Sequence, residues 1–65
     1  MNVIAKSSFS LPKENGRDSS FIEGKSYRSV IRSNGDYVIM DNEGSAIQLE
    51  EWHVKKLFEI KEEKL

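Results

Sequence analysis

A chain of 65 residues has room for one domain, and so small a domain buries only about 60% of the surface that its unfolded chain exposes. The sequence has no cysteine and one histidine, which excludes a disulfide framework and a zinc site of cysteine and histidine ligands. The net charge is −1, but residues 1–33 have a balance of +3 and residues 34–65 a balance of −4. Such a division favours attraction between opposite faces of two molecules, unless the charges interleave on one surface.

The N-terminal residues lack the hydrophobic core of a secretory signal. Residues 1–16 contain no run of seven or more apolar side chains. Nowhere does the sequence approach the roughly 20 apolar residues that a membrane-spanning helix needs. We therefore expect a cytoplasmic protein without contact to a membrane, and the lack of cysteine agrees with a reducing compartment.

The first third of the chain predicts a strand followed by a long loop. Residues 2–10 alternate loosely between apolar and polar side chains, which favours an edge strand, and Pro12 cannot continue a hydrogen-bonded ladder. Residues 13–20, KENGRDSS, are polar throughout and predict a loop. We then expect Phe21 or Ile22 to fill one end of the core.

The middle of the chain predicts a three-stranded meander. Residues 27–33, 36–42 and 45–49 are rich in β-branched and aromatic side chains, and turn residues separate them at 33–36 and 41–44. Along residues 37–40 both faces of the strand are apolar, so this strand is expected at the centre of a sheet with both of its faces covered.

The C-terminal segment, residues 50–65, allows two interpretations. As a continuous helix it places Val54, Leu57, Phe58 and Leu65 on one stripe. Alternatively, a one-turn helix over residues 50–53 precedes a short strand over residues 56–60, with Phe58 and Ile60 facing inward. We favour the second, because no capping residue immediately precedes Glu50 and a fifth strand would close the sheet.

This order of elements resembles an SH3-like small barrel. The segments Phe21-x-x-Gly24-Lys25-x-Tyr27, Tyr37-Val38-Ile39-x-Asp41-x-x-Gly44 and Phe58-Glu59 are similar to those of small uncharacterised SH3-like proteins encoded by bacteriophages and prophages. The resemblance implies a mainly β, five-stranded barrel over residues 1–60, with a one-turn helix before the last strand and a frayed tail over residues 61–65. The alternative fold is a three- to four-stranded meander with a C-terminal helix.

No motif of an enzyme or a cofactor site is present. The chain has no glycine-rich phosphate loop, no nucleophile elbow and no pair of carboxylates in a defined geometry. Asp41 and its neighbours are too closely spaced for a calcium loop and predict a hairpin turn instead. The sequence also lacks the motif of the aromatic groove with which many SH3 domains bind proline-rich peptides. We therefore expect no catalytic residue, no metal and no cofactor.

The favoured function is binding to a protein partner, which the phage resemblance implies is a host protein whose activity is modulated. Trp52 is the only tryptophan, and if exposed it is a natural anchor; otherwise it covers the core. The predicted binding residues are the apolar anchors Trp52, Tyr37, Tyr27 and Phe58, with Glu50, Glu51 and Arg32 at the rim.

Two other functions stay open on the sequence. Lys25, Arg28 and Arg32 lie on or beside one predicted strand, and with nearby tyrosines they have the minimum elements of a surface for single-stranded nucleic acid. The net negative charge disfavours that interpretation. The third is a self-assembling structural protein, which the division of charge and the small core both favour.

Overall fold

The chain, described here by a computed structural model over residues 1–13 and 16–61, is built mainly from β-strands. One helix lies between the last two strands of this described part. In chain order the elements are β1 (Asn2–Ala5), β2 (Phe9–Pro12), β3 (Asp18–Phe21), β4 (Ser26–Ile31), β5 (Tyr37–Met40), β6 (Ala46–Leu49), α1 (Glu51–Leu57) and β7 (Phe58–Lys61).

Five of the strands form one antiparallel sheet in the order β6-β5-β4-β1-β7, while β2 and β3 form a separate two-stranded sheet. Strand β4 connects the two halves of the larger sheet. Its first residues pair with β1, with Asn2 opposite Arg28, and its last residues pair with β5, with Val30 opposite Val38. The β character predicted from the sequence is therefore confirmed.

The two tight turns of the predicted meander are both present. Gly35 lies in the β4–β5 turn at φ +92°, a left-handed conformation that residues with a side chain rarely adopt. The turn closes because the Arg32 N–H donates to the Asp36 carbonyl at 2.7 Å. The β5–β6 turn closes in the same way, since the Asp41 N–H donates to the Ser45 carbonyl at 2.7 Å.

The core lies between the two sheets and the helix and is centred on aromatic rings. The Phe21 ring contacts those of Phe9, Phe58 and Tyr27 at centroid distances of 5.3, 5.1 and 4.9 Å. Offset and edge-on ring contacts of this kind add to the free energy gained from burying apolar surface. The buried apolar side chains are Val3, Ala5, Phe21, Tyr27, Tyr37, Ile39, Ile47, Val54 and Phe58.

The N-terminal third differs from the prediction in two ways. The edge strand expected over residues 2–10 is interrupted at residues 6–8, so that β1 becomes an inner strand between β4 and β7. The Lys6 N–H still donates to the Leu57 carbonyl at the end of the β1–β7 pairing, and beyond it the Ser8 hydroxyl accepts from the Glu23 N–H, which holds the chain in its bend. The loop expected over residues 13–20 is shorter, because Asp18 already pairs with Pro12 at the start of β3.

The C-terminal segment contains both elements between which the sequence left a choice. The helix is longer than the predicted single turn, with seven residues, and the strand that follows begins at Phe58. Phe58 is buried as expected, and Glu50 makes no side-chain cap. Lys61 belongs to β7 and not to a frayed tail. The rest of that predicted tail, residues 62–65, lies outside the described residues.

The prediction that both faces of β5, the strand over residues 37–40, are covered was wrong. Tyr37 and Ile39 are buried, whereas Val38 is half-buried and Met40 is exposed. The reason is that Val54 of the helix and Phe21 of the smaller sheet belong to the same core cluster as Tyr37 and Ile39. The opposite face, which also carries the exposed Val30, has no such cover among the described residues.

An ion pair that was not predicted from the sequence connects the two sheets. The Lys13 ammonium lies 3.3 Å from Asp41 Oδ2, and the two side chains are 11% and 1% exposed. The other oxygen, Asp41 Oδ1, accepts hydrogen bonds from the backbone N–H groups of Glu43 and Ser45, both at 2.9 Å. Asp41 thus fixes the β5–β6 turn and holds the beginning of the loop after β2 against it.

The pKa of Asp41 predicts how stability depends on pH. Burial by itself raises the pKa of this carboxyl, but the hydrogen bonds from Ser45 and Glu43 and the Lys13 ammonium outweigh burial, so the pKa lies below 3.8. In the folded state Asp41 therefore binds its proton less readily than in the unfolded state. The stabilisation is complete when the pH lies above the pKa of Asp41 in the unfolded chain. It is lost as the pH falls through the pKa of Asp41 in the folded protein.

We expect the Asp41 carboxyl carbon to titrate in the folded protein with a midpoint below 3.8, as followed by NMR. The urea midpoint should fall as the pH is lowered through the same range, because the unfolded chain takes up the proton first. An NMR titration midpoint at or above the ordinary pKa of an aspartate would contradict this account of the ion pair.

Candidate protein-binding site

Trp52 lies on the surface at the start of α1, with its side chain 62% exposed. The alternative that it covers the core is wrong, because Val54 occupies the inward position of the helix and is fully buried. Two residues along an α-helix correspond to a rotation of about 200°, so Trp52 points away from the core when Val54 points into it. A large apolar side chain therefore lies on the surface, although this small domain has few large apolar side chains with which to build a core.

The indole ring of Trp52 is held in one orientation by its neighbours. Its Nε1–H donates to Glu50 Oε2 at 2.6 Å. The His53 ring stacks on it with a centroid distance of 4.9 Å and an interplanar angle of 14°. An aromatic side chain fixed before binding loses less conformational entropy when a partner covers it.

A shallow depression of about 440 Å³ lies beside Trp52, between the β4–β5 turn and the start of the helix. The turn contributes Asn34, Gly35 and Asp36 to its lining. The Asn34 side-chain oxygen accepts from the Asp36 N–H at 3.0 Å, which fixes the rim of the depression on this side. The lining residues, hereafter the Trp52 depression, are Asn34, Gly35, Asp36, Glu50, Glu51 and Trp52.

The Trp52 depression is negatively charged. Its three ionisable side chains, Asp36, Glu50 and Glu51, are all carboxylates. Glu51 makes a surface ion pair with Lys55 at 3.7 Å, in which both side chains are more than half exposed. Such a pair contributes little free energy and leaves the carboxylate open to competition.

Three of the predicted anchors are core residues and not surface residues. Tyr27, Tyr37 and Phe58 are each at most 4% exposed, so their prediction as partner-binding anchors was wrong. The physical reason is the alternation of the strands, which turns these rings toward the helix and the smaller sheet. The Tyr27 hydroxyl is also engaged, since it donates to Asn42 Oδ1 at 2.9 Å and accepts from the Ile22 N–H. Arg32 is exposed, but it does not line the Trp52 depression.

The basic residues of the nucleic-acid hypothesis are only partly brought together. Arg28 and Arg32 are exposed. Lys25 is exposed as well, but its ammonium donates to Asn42 Oδ1 at 2.9 Å and lies 5.6 Å from the centroid of the Tyr27 ring. Because Tyr27 and Tyr37 are buried, neither offers the ring face on which an unpaired base would stack.

A second, larger groove was not predicted from the sequence. It has a volume of about 660 Å³ and runs between the end of β2 and the edge strand β6. Its lining includes the polar side chains of Lys13 and His53 and the apolar ones of Leu11 and Leu49. The only earlier indication was the alternation along β6, which does not show that β2 lies beside it.

Within residues 1–13 and 16–61, no group of three or more His, Cys, Asp and Glu side chains is arranged to hold a metal ion. No helix of this part is long and apolar enough to cross a membrane.

Comparison with known proteins gives this chain no family assignment: no family model, no curated protein and no solved structure matches it significantly.

Proposed function

We propose that this chain is a non-enzymatic protein-binding module that docks on its partner through Trp52 and the depression beside it. The observation that carries the proposal is the exposure of the only tryptophan in a held orientation. Tryptophan is enriched among the residues that dominate binding free energy in protein interfaces. A domain of this size depends on apolar burial for its own stability, so an indole left outside the core adds little to the fold and is available to an interface.

We propose in addition that the fold is an SH3-like barrel. The support is the order of elements, in which a two-stranded hairpin separates β1 from β4 and a short helix precedes β7. The sheet order β6-β5-β4-β1-β7 also pairs β1 with β7, so strands from the two ends of the described chain lie side by side. On the resemblance to phage and prophage proteins, we propose a host protein in the cytoplasm as the partner, whose activity the binding modulates.

Replacing Trp52 with alanine should remove partner binding while leaving the fold intact. Because the side chain is mostly exposed, we expect the free energy of unfolding to change by no more than about 0.5 kcal/mol. The loss in affinity should be about 30-fold or more, as for a central interface residue. The measurement is capture of a host protein on the immobilised domain, followed by affinity determination with the purified partner.

The matched control is Val30→Ala, which shortens an apolar side chain of similar exposure on the sheet face away from Trp52. We expect this variant to bind as the wild type does. A partner that is lost with Val30→Ala and retained with Trp52→Ala would move the binding site to the exposed sheet face and overturn the proposal.

A further inference from the structure

We infer, building on the proposed function, that the Trp52 depression binds an arginine-bearing, positively charged segment of the partner. The first argument is charge complementarity. The lining contains three carboxylates and, among the described residues, no basic side chain. A partner of like charge would be repelled, and a neutral one would leave the carboxylates partly desolvated without a counter-charge.

The hydrogen bonds at Asp36 and Glu50 orient these carboxylates without neutralising them. Asp36 Oδ2 accepts from the Gln48 side-chain amide at 2.8 Å and from the Asn34 amide at 3.3 Å. Glu50 accepts from the Trp52 indole N–H. All these donors are uncharged, so none of them supplies a counter-charge to the two carboxylates.

The indole ring of Trp52 also favours a cation, independently of the carboxylates. His53 stacks on Trp52, yet most of the tryptophan side chain stays exposed to a partner. Among aromatic side chains, tryptophan attracts a cation over its ring face most strongly. A cation placed on Trp52 is within reach of the neighbouring carboxylates, because all of them line the same depression.

Arginine fits this arrangement better than lysine. Its guanidinium group is planar, so it can stack on an indole while its edge donates hydrogen bonds to a carboxylate. It is also more weakly hydrated than an ammonium group, which lowers the cost of moving it from water onto an aromatic surface. The expected ligand is therefore an exposed arginine in a flexible or extended part of the partner.

The test uses a synthetic probe, a fluorescein-labelled peptide of sequence Gly-Arg-Gly-Arg-Gly, with fluorescence anisotropy as the readout. The control peptide carries citrulline for arginine, which keeps the shape and removes the charge. We expect the arginine peptide to bind at least about tenfold more tightly, and its affinity to fall as salt is raised. Equal binding of the two peptides, or no binding of the arginine peptide at millimolar concentration, would overturn the inference.

Variants of the domain locate the contact. We expect Asp36→Asn and Glu51→Gln each to lower the affinity for the arginine peptide about threefold, and Trp52→Ala to lower it further. The matched control is Glu59→Gln, which neutralises an exposed carboxylate on β7 whose partner is Lys61. An equal loss with Glu59→Gln would show only a general charge effect and contradict the inference.

Failure of this inference can be distinguished from failure of the proposed function. If the captured host protein depends on Trp52 but binds equally to the Asp36→Asn and Glu51→Gln variants, the docking surface stands and the arginine contact is wrong. If the host protein is insensitive to Trp52→Ala, the proposed function itself fails.

Discussion

Replacing Phe21 with alanine is expected to destabilise the domain by about 3–5 kcal/mol. Phe21 is 2% exposed and contacts three other aromatic rings, from β2, β4 and β7. The loss therefore includes both the buried area and the contacts that join the smaller sheet to the larger one. A core of this size supplies no more than about 3–5 kcal/mol of net stability, so the variant should be largely unfolded.

The adjacent residue provides the control for this prediction. Ile22 follows Phe21 directly but is 52% exposed, so Ile22→Ala should cost less than about 1 kcal/mol. Urea unfolding followed by circular dichroism measures both variants. Equal destabilisation by the two substitutions would mean that the burial difference between these neighbours is wrong, and with it the register of β2 and β3.

Replacing Asp41 with alanine is also expected to lower the free energy of unfolding, by about 3–5 kcal/mol. The substitution leaves the Lys13 ammonium largely buried without its counter-charge. It also removes the acceptor for the Glu43 and Ser45 N–H groups in the β5–β6 turn. These two N–H groups then lose an acceptor that fixes the turn, which adds to the loss of the ion pair.

A double-mutant cycle separates the ion pair from the turn. Lys13→Met keeps the aliphatic stem of the side chain and leaves Asp41 its two backbone donors, so it should cost less than Asp41→Ala. In the Asp41→Ala background the same lysine substitution should cost little or become stabilising, because it removes an uncompensated charge. Additive effects of the two substitutions would show that the side chains do not interact.

Much of the fold could be predicted because its signals are local. Asn34-Gly35 and the run from Asp41 to Gly44 mark hairpin turns through residues that tolerate left-handed backbone, and both turns are present. The break at residues 6–8 was missed because three polar residues after β1 are compatible with either an exposed strand or a turn. The bend is held by a long-range hydrogen bond from the Glu23 N–H to the Ser8 hydroxyl, which no local pattern contains.

The candidate site was predicted only in part for the same kind of reason. Alternation along a strand groups Tyr37 with Ile39 but does not say which face meets the helix, so Tyr37 was predicted as a partner-binding anchor although it belongs to the core. Trp52 could be placed outside only once the helix was known to extend to Leu57 and to bury Val54. The Lys13–Asp41 pair joins residues 28 positions apart and could not be found from spacing.

The most direct test of the central claim is an NMR titration of the ¹⁵N-labelled domain with its purified protein partner. Because Trp52 is the only tryptophan, its Nε1–H gives a single indole signal that reports on this side chain alone. We expect that signal to shift together with the amides of Gly35, Asp36 and Glu51. Shifts confined to Val30, Val38 and Met40, with the indole signal unchanged, would place the interface on the opposite sheet face and contradict the account.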